Sequence, residues 1–254
     1  IGMGKRNNAI LQYTNEVTIN AKRGTIYDRE GRVLAMSATT YTVYVSPAEI
    51  SMNGEDAERI ADGLSEILSV DREKILTMTA DRRSWYKTVK RQIEEAEADA
   101  VRAFKNDYDL QGVKLEPDTK RYYPYASLAS HVIGFVGADN TGLSGLEVTQ
   151  NELLTGTAGS ILRLKNSAGA DMILTSYEDY VDAQDGLNLH LTIDTTVQYY
   201  LEKYVKEMAD QFEAANGATG IVMDVKTGGV LGMVSYPNYD LNNYSEVSDA
   251  RLKA

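Results

Sequence analysis

The chain has no cysteine, so it can form no disulfide and offers no thiolate to a metal. Its only histidines, His131 and His190, stand far apart in sequence, and without cysteine a zinc site is not expected. His190 alternates with Leu189 and Leu191 in a strand pattern and reads as a structural or surface residue. No run approaches the roughly 20 consecutive apolar residues that cross a bilayer, and there is no signal-peptide pattern. The chain begins Ile1-Gly2-Met3-Gly4, without a methionine at position 1. It is therefore expected to be a trimmed part of a longer protein, with any anchor lying outside it. Positive charge is also scarce. There are 26 Lys and Arg against 37 Asp and Glu, a net −11, which argues against nucleic acid as a partner. The imbalance is uneven: residues 1–33 carry a net +3 and the remainder −14. The acids, spread along helices and loops, read as a solvated surface.

What is present is the composition of a soluble globular protein, 43% hydrophobic and 25% charged. Its 254 residues suffice for one large domain or two smaller ones. The most informative stretch is 217–242, GATGIVMDVKTGGVLGMVSYPNYDLN. Two apolar runs, 218–222 and 230–234, flank Asp224-Val225-Lys226-Thr227-Gly228-Gly229, which predicts a β-hairpin. Both runs are almost continuously apolar, as in a sheet covered on both faces. Upstream, 187–193 (LNLHLTI) predicts a strand. Asp194 is then the N-cap of a helix carrying Val197, Leu201, Val205, Met208 and Phe212 on one stripe.

Earlier in the chain, residues 7–22 alternate loosely and predict an extended strand. Asp28 to Gly31 has the residue types of a type I turn with a glycine bulge, making a hairpin of 25–27 and 33–35. YTVYV at 41–45 is a further strand, closed by Ser46-Pro47. From Glu55 the period becomes helical, with Ala57, Ile60, Ala61, Leu64, Ile67 and Leu68 on one face. Asp71 caps a second helix. Residues 85–93 alternate as a strand, and 94–106 form a helix with Ala96, Ala100, Val101 and Phe104 inward. From Gly112 come a strand, the loop Arg121-Tyr122-Tyr123-Pro124-Tyr125 and a short helix near 128–133. Ser144 and Glu147 make a capping box, with Leu143 and Val148 at the staple positions, on a helix ending near Leu154. Residues 161–164 and 172–174 predict another hairpin, and 177–186 an acidic linker.

Four blocks stand in fixed order: RGTIYDREGRVLA (23–35), RYYPYASLASHVIGFVG (121–137), GLSGLEVTQNELLTGTAG (142–159), and LTID…GIVMDVKTGGVLGMVSYPNYDLN from 191. Together they resemble the class B penicillin-binding proteins, transpeptidases that cross-link peptidoglycan. The resemblance runs over nearly the whole chain. It implies an α+β protein: an elongated β-rich pedestal, or dimerisation domain, at 1–186, with a small α/β head inserted at about 50–112. Residues 187–254 would then be the first strand, helix and hairpin of a penicillin-binding transpeptidase fold, incomplete here. It also implies a parent on the outer side of a bacterial cell membrane, held by a single-pass anchor absent from this chain. The parent's ligands would be peptidoglycan stem peptides and β-lactams, and the pedestal's partners membrane-embedded wall-synthesis proteins. Arg23, Asp28, Arg29 and Glu147 lie in the matched blocks, and buried ion pairing that fixes the stalk is their expected role. The tyrosines at 122, 123 and 125 read as a packed loop, with a protein contact as the alternative.

The family's chemistry is acyl transfer by a serine with a lysine one helical turn on, in three motifs: S-x-x-K, S-x-N and K-[ST]-G. Three strings imitate them. Ser84-Trp85-Tyr86-Lys87 sits on a strand pattern, where positions three apart point to opposite faces, ~10 Å apart. Lys226-Thr227-Gly228 sits in the hairpin turn, and Ser248-Asp249-Ala250 lacks the asparagine. None is assigned a catalytic role, and no catalytic, cofactor or metal residue is expected in this chain. The parent would be an enzyme and this portion a scaffold. A rival reading is a natural truncation acting only as an interaction module, which gene sequence past residue 254 would separate. An unrelated solute-binding protein with an α/β core is a third.

Overall fold

A computed structural model describes residues 14–19, 21–164 and 180–244. The fold is α+β. In chain order the strands and helices are β1 (Thr14–Ile19), β2 (Ile26–Tyr27), β3 (Val33–Val45), α1 (Pro47–Asn53), α2 (Ala57–Leu68), α3 (Arg72–Ala80) and β4 (Lys87–Ile93). There follow α4 (Glu95–Asp107), β5 (Val113–Tyr122), α5 (Ser130–Ile133), α6 (Gly145–Thr149), α7 (Asn151–Thr155) and β6 (Gly159–Leu164). The last are β7 (Tyr180–Val181), β8 (Leu189–His190), α8 (Thr195–Gln211), β9 (Ala218–Met223) and β10 (Val230–Tyr236). Residues 38–120 form one compact unit, and the described residues before and after them form another. The chain leaves the second of these along β3 and returns to it along β5.

In the 38–120 unit, β3 pairs antiparallel with β4, placing Tyr41 opposite Ile93 and Val45 opposite Lys87, and β5 also pairs with β3. Asp56 starts α2 by accepting the N–H groups of Glu58 and Arg59, donors that a helix's first turn otherwise leaves unpaired. Ile60, Leu64 and Leu68 on that helix are fully buried with Val43, Val89 and Val101. Burying those three side chains contributes on the order of 5–9 kcal/mol before conformational entropy is subtracted. Asp71 caps α3 by accepting Glu73 N–H. On α4 the inward face is Ala98 and Val101, whereas Ala96 and Ala100 are exposed. Helix α1 was not expected. Pro47 occupies its first turn, where a missing N–H does no harm, and Gly54 ends it at φ 67°.

In the other unit, β1 pairs antiparallel with β6, from Thr14 opposite Leu164 to Ile19 opposite Gly159. The predicted second arm at 172–174 lies outside the described residues, as do 7–13 of the first strand. Within the expected acidic linker, β7 pairs with β6, so part of that segment is sheet. β2 pairs antiparallel with the start of β3 and parallel with β8. The separate strands expected at 33–35 and 41–45 are one 13-residue strand, because no turn residue interrupts MSATT. In the β2–β3 turn Gly31 takes φ 82°, and Asp28 N–H donates to Arg32 O at 2.9 Å. Ile26, Leu34, Ile133, Leu154, Tyr239 and Leu241 make the core.

Helix α8 starts on Asp194, whose carboxylate accepts Thr196 and Val197 N–H. It lies on the β9–β10 hairpin, in which Met233 faces Ile221 and Val234 faces Gly220. Gly220 and Gly232 are the landing points: a Cβ on either would come within 3.2 Å of a Leu201 methyl group. Of the expected stripe, Val197, Leu201 and Val205 face Gly220 and Gly232, with Gln198 and Ala209 buried beside them, while Met208 and Phe212 are exposed. The opposite face of the hairpin is also open, with Ile221 60% and Met223 53% exposed. One helix covers one face of a two-stranded ribbon and cannot cover both.

Candidate functional site

Three charged side chains from distant parts of the sequence meet in the interior. Arg23 and Arg121 are 3% and 4% exposed and Glu147 is 0% exposed. Arg23 Nε donates to Glu147 Oε2 at 2.6 Å and Arg121 Nε to Oε1 at 2.7 Å. Removing ions from water is costly unless every donor finds an acceptor. Arg23 also donates to Asn140 O, Asn151 Oδ1, Thr155 Oγ1 and Glu147 O. Arg121 Nη1 donates to Gly24 O at 2.8 Å, while its buried Nη2 has no hydrogen-bond partner among the described residues. The hub thus binds β2's approach, the end of β5 and the α6–α7 pair into one body. It consumes the Glu147 side chain, so the expected capping box does not form. Ser144 is the N-cap but makes no side-chain cap bond, and Leu143 and Val148 are exposed instead of stapled.

A second junction centres on Asp28, also fully enclosed. Oδ1 accepts the N–H groups of Glu30 and Arg32 at 2.8 Å each. Oδ2 accepts Thr195 Oγ1 at 2.5 Å and Thr195 N–H at 3.3 Å, and Arg32 pairs with it at 3.1 Å. Burial pushes this carboxyl up, but the donors from Thr195, Arg32 and Glu30 outweigh it and leave it below the usual carboxylate range. Asp28 therefore sets a second carboxylate, after Asp194, at the positive end of α8. Arg29 does not join either junction. It sits at the turn tip, nearly half exposed, 3.7 Å from Glu30, contrary to the buried role expected of it.

Beside α8 lies an open groove of about 780 Å³, walled by Arg32, Tyr125, Tyr199, Tyr200, Lys206 and Tyr236 among others. At its floor Glu202 accepts Ala129 N–H and Gln198 Nε2 on Oε1, both at 2.7 Å, and Asn238 Nδ2 on Oε2 at 3.2 Å. Burial raises the Glu202 carboxyl above its ordinary value of 4.5 despite these bonds. Sequence reasoning missed Glu202 and Gln198, because on an amphipathic helix both read as polar-face residues.

The motif look-alikes are placed as follows. Ser84 Oγ donates to Tyr86 O at 3.1 Å, whereas Lys87 Nζ pairs with Asp81 at 3.0 Å. Ser84 and Tyr86 precede β4, Ser84 closing a turn with its N–H on Asp81 O at 2.9 Å; the strand itself starts at Lys87. Thr227 Oγ1 and Lys226 N–H donate to Asp224, and Gly228 takes φ 74°, so these residues build the hairpin turn. Ser248-Asp249-Ala250 lies outside the described residues. His190 stacks on Tyr27 at 4.8 Å. His131 meets the edge of Tyr239, and burial holds its pKa below the usual histidine value. Tyr123 is buried while Tyr122 and Tyr125 are exposed. No group of acids or histidines that could hold a metal ion occurs among the described residues.

Comparison with known proteins gives one consistent answer. Residues 18–191 match the model of the penicillin-binding protein dimerisation domain. Stage V sporulation protein D of Bacillus subtilis (strain 168) is 31% identical over 92% of this chain and 35% of its own length. The peptidoglycan D,D-transpeptidase FtsI of Escherichia coli (strain K12) is 30% identical over 89% of this chain and 38% of its own. Penicillin binding protein 2X of Streptococcus thermophilus superposes with a TM-score of 0.66 at 25% identity, over 93% of this chain and 37% of that one. A chain in the complex between PBP2 and MreC from Helicobacter pylori superposes with a TM-score of 0.66 at 26% identity, over 91% and 44%. This chain thus spans less than half the length of these relatives.

Proposed function

Because this chain belongs to the penicillin-binding protein dimerisation-domain family, we propose that it is the pedestal and the opening of the transpeptidase domain of a class B penicillin-binding protein. The observation that carries this reading is the pattern of coverage. Relatives named as D,D-transpeptidases align with about nine-tenths of this chain but use little more than a third of their own length to do so. The parent would join peptidoglycan stem peptides through a serine acyl-enzyme, the step that β-lactams intercept. This portion is expected to make no such intermediate; in keeping with that, Lys87 pairs with Asp81 and Ser84 donates to the Tyr86 carbonyl.

Residues of about 50–112 form the inserted head, which the compact unit at 38–120 supports. The buried hub supports a structural role for the stem: two guanidinium groups on one carboxylate leave the α6–α7 pair one way to sit. Further strands and helices of the parent cover the open face at Ile221 and Met223. A single membrane helix outside the described residues anchors the parent, with this portion on the outer side. Its partners are other wall-synthesis membrane proteins, in keeping with a neighbour solved as a complex between PBP2 and MreC. The test is labelling with a fluorescent penicillin, read by intact mass. The 254-residue chain should take up no label and the full gene product one equivalent. A stoichiometric adduct on the short chain, lost in Ser84→Ala, would overturn the assignment.

A further inference from the structure

The groove beside α8 has a charge arrangement that the scaffold role leaves unused. Each cation on its wall already has a carboxylate of its own. Arg32 pairs with Asp28 at 3.1 Å, Lys203 with Glu207 at 4.0 Å and Lys206 with Asp210 at 2.6 Å. Glu202 at the floor is the exception, making no ion pair among the described residues. Its three donors, Ala129 N–H, Gln198 Nε2 and Asn238 Nδ2, are all neutral. A carboxylate offers about four lone-pair sites, so Oε2, with one long bond, has room for a further donor. A half-buried carboxylate without a counter-charge is costly to keep. It is retained most readily where something positive arrives to neutralise it.

The walls suit such a visitor. Tyr125, Tyr199 and Tyr200 each expose about half of their surface, and a cation is attracted to the face of an aromatic ring. The walls are also fixed in advance. Glu202 itself ties α8 to the Ala129 backbone and to Asn238, and Asp28 ties the β2–β3 turn to Thr195. The wall from Thr195 to Lys206 follows α8 for ~16 Å, the length of about five extended residues.

We propose that this groove receives a basic polypeptide segment of a partner protein, one Lys or Arg side chain of which rests on Glu202 between the tyrosine rings. The inference does not depend on the penicillin-binding assignment. Its test is fluorescence anisotropy of a labelled decapeptide of alternating Lys and Gly, titrated with the full 254-residue chain. Saturable binding is expected. Glu202→Gln should weaken it at least ~tenfold, the loss of a charge-assisted contact in a partly dry site. Glu207→Gln removes an exposed carboxylate of the same helix and should change it by less than ~twofold. A melting curve of each variant excludes unfolding as the cause. The proposal fails if no saturable binding occurs, or if Glu207→Gln weakens binding as much as Glu202→Gln. The first outcome means no such ligand, and the second means diffuse attraction to an acidic chain. It fails equally if a Gln-Gly decapeptide or a Glu-Gly decapeptide binds as tightly.

Discussion

Replacing Glu147 by glutamine is the sharpest perturbation available to this fold, since it keeps the shape and removes only the charge. The side chain is fully enclosed and its two oxygens hold Arg23 at 2.6 Å and Arg121 at 2.7 Å. The amide NH₂ must face one of those Nε–H groups, so a donor meets a donor. Both guanidinium groups lose their counter-charge, and neither can reach water or give up its proton. Breaking a buried pair from one side costs ~3–5 kcal/mol. The remaining acceptors, such as Asn140 O, Asn151 Oδ1 and Gly24 O, are neutral dipoles and hold the loss to that range. For a domain of this size each kcal/mol shifts Tm by ~2–4 °C, so the midpoint should fall by ~6–20 °C. Thermal melts by circular dichroism measure it. Arg72→Gln is the control, because Arg72 meets Glu58, Asp62 and Glu73 on an exposed surface and its loss should leave the midpoint unresolved from the parent's. A Glu147→Gln midpoint within about 2 °C of the parent's would refute the claim that the hub holds this unit together.

Three further outcomes follow from the junctions. Glu202→Gln should raise Tm at pH 7, because burial disfavours the charged form and raises its pKa. That term favours the fold below the unfolded carboxylate's pKa and is lost as pH rises through the raised folded value, so melts at pH 4 should show the gain vanishing. Asp28 has the opposite sign: its lowered pKa stabilises the fold above pH ~3.8 and the benefit is lost as pH falls through the folded value. Thr195→Val should therefore cost ~1.5–3 kcal/mol at pH 7 and progressively less in acid titration monitored by circular dichroism. Gly24→Ala should destabilise by at least ~2 kcal/mol in urea melts, since its Cβ would stand 1.9 Å from Leu187 O. An unchanged urea midpoint would mean that the Gly24–Leu187 approach can relax.

Local pattern predicted elements whose causes are local. Asp56, Asp71 and Asp194 each cap the helix that follows, and the Asp224–Gly229 turn closes the hairpin it was expected to close. The errors have non-local causes. Ser144-x-x-Glu147 has the letters of a capping box, but Arg23, 124 positions away, and Arg121, 26 away, take the glutamate. Ser46-Pro47 reads equally as the end of a strand or the first turn of a helix, and packing in the 38–120 unit decides for the helix. On α8 the buried face is fixed by Gly220 and Gly232, whose missing side chains admit Leu201. The periodicity of α8 puts Leu201 on that face, as expected, but holds nothing to say that Met208 and Phe212 stay exposed. The groove was illegible for the same reason: Glu202 acquires its character only when Ala129 and Asn238 close over it.

The parallel pairing of β2 with β8 decides how the chain can be cut. Residues 22–29 and 186–193 are far apart along the backbone, yet they are laced by Gly186 N–H to Lys22 O, Leu189 N–H to Thr25 O, Leu191 N–H to Tyr27 O and Arg29 N–H to Ile193 O, each at 2.9 Å. Such a seam is a weld and not a joint. Swivelling at Gly186 would require all four bonds to break together, so motion between stem and α8 must be taken up elsewhere. A gene fragment starting at Leu187 would expose one raw side of β8 and leave Thr195 without Asp28. Any excision of the later part that is meant to fold must bring residues 22–35 along, as a separate peptide or a grafted strand.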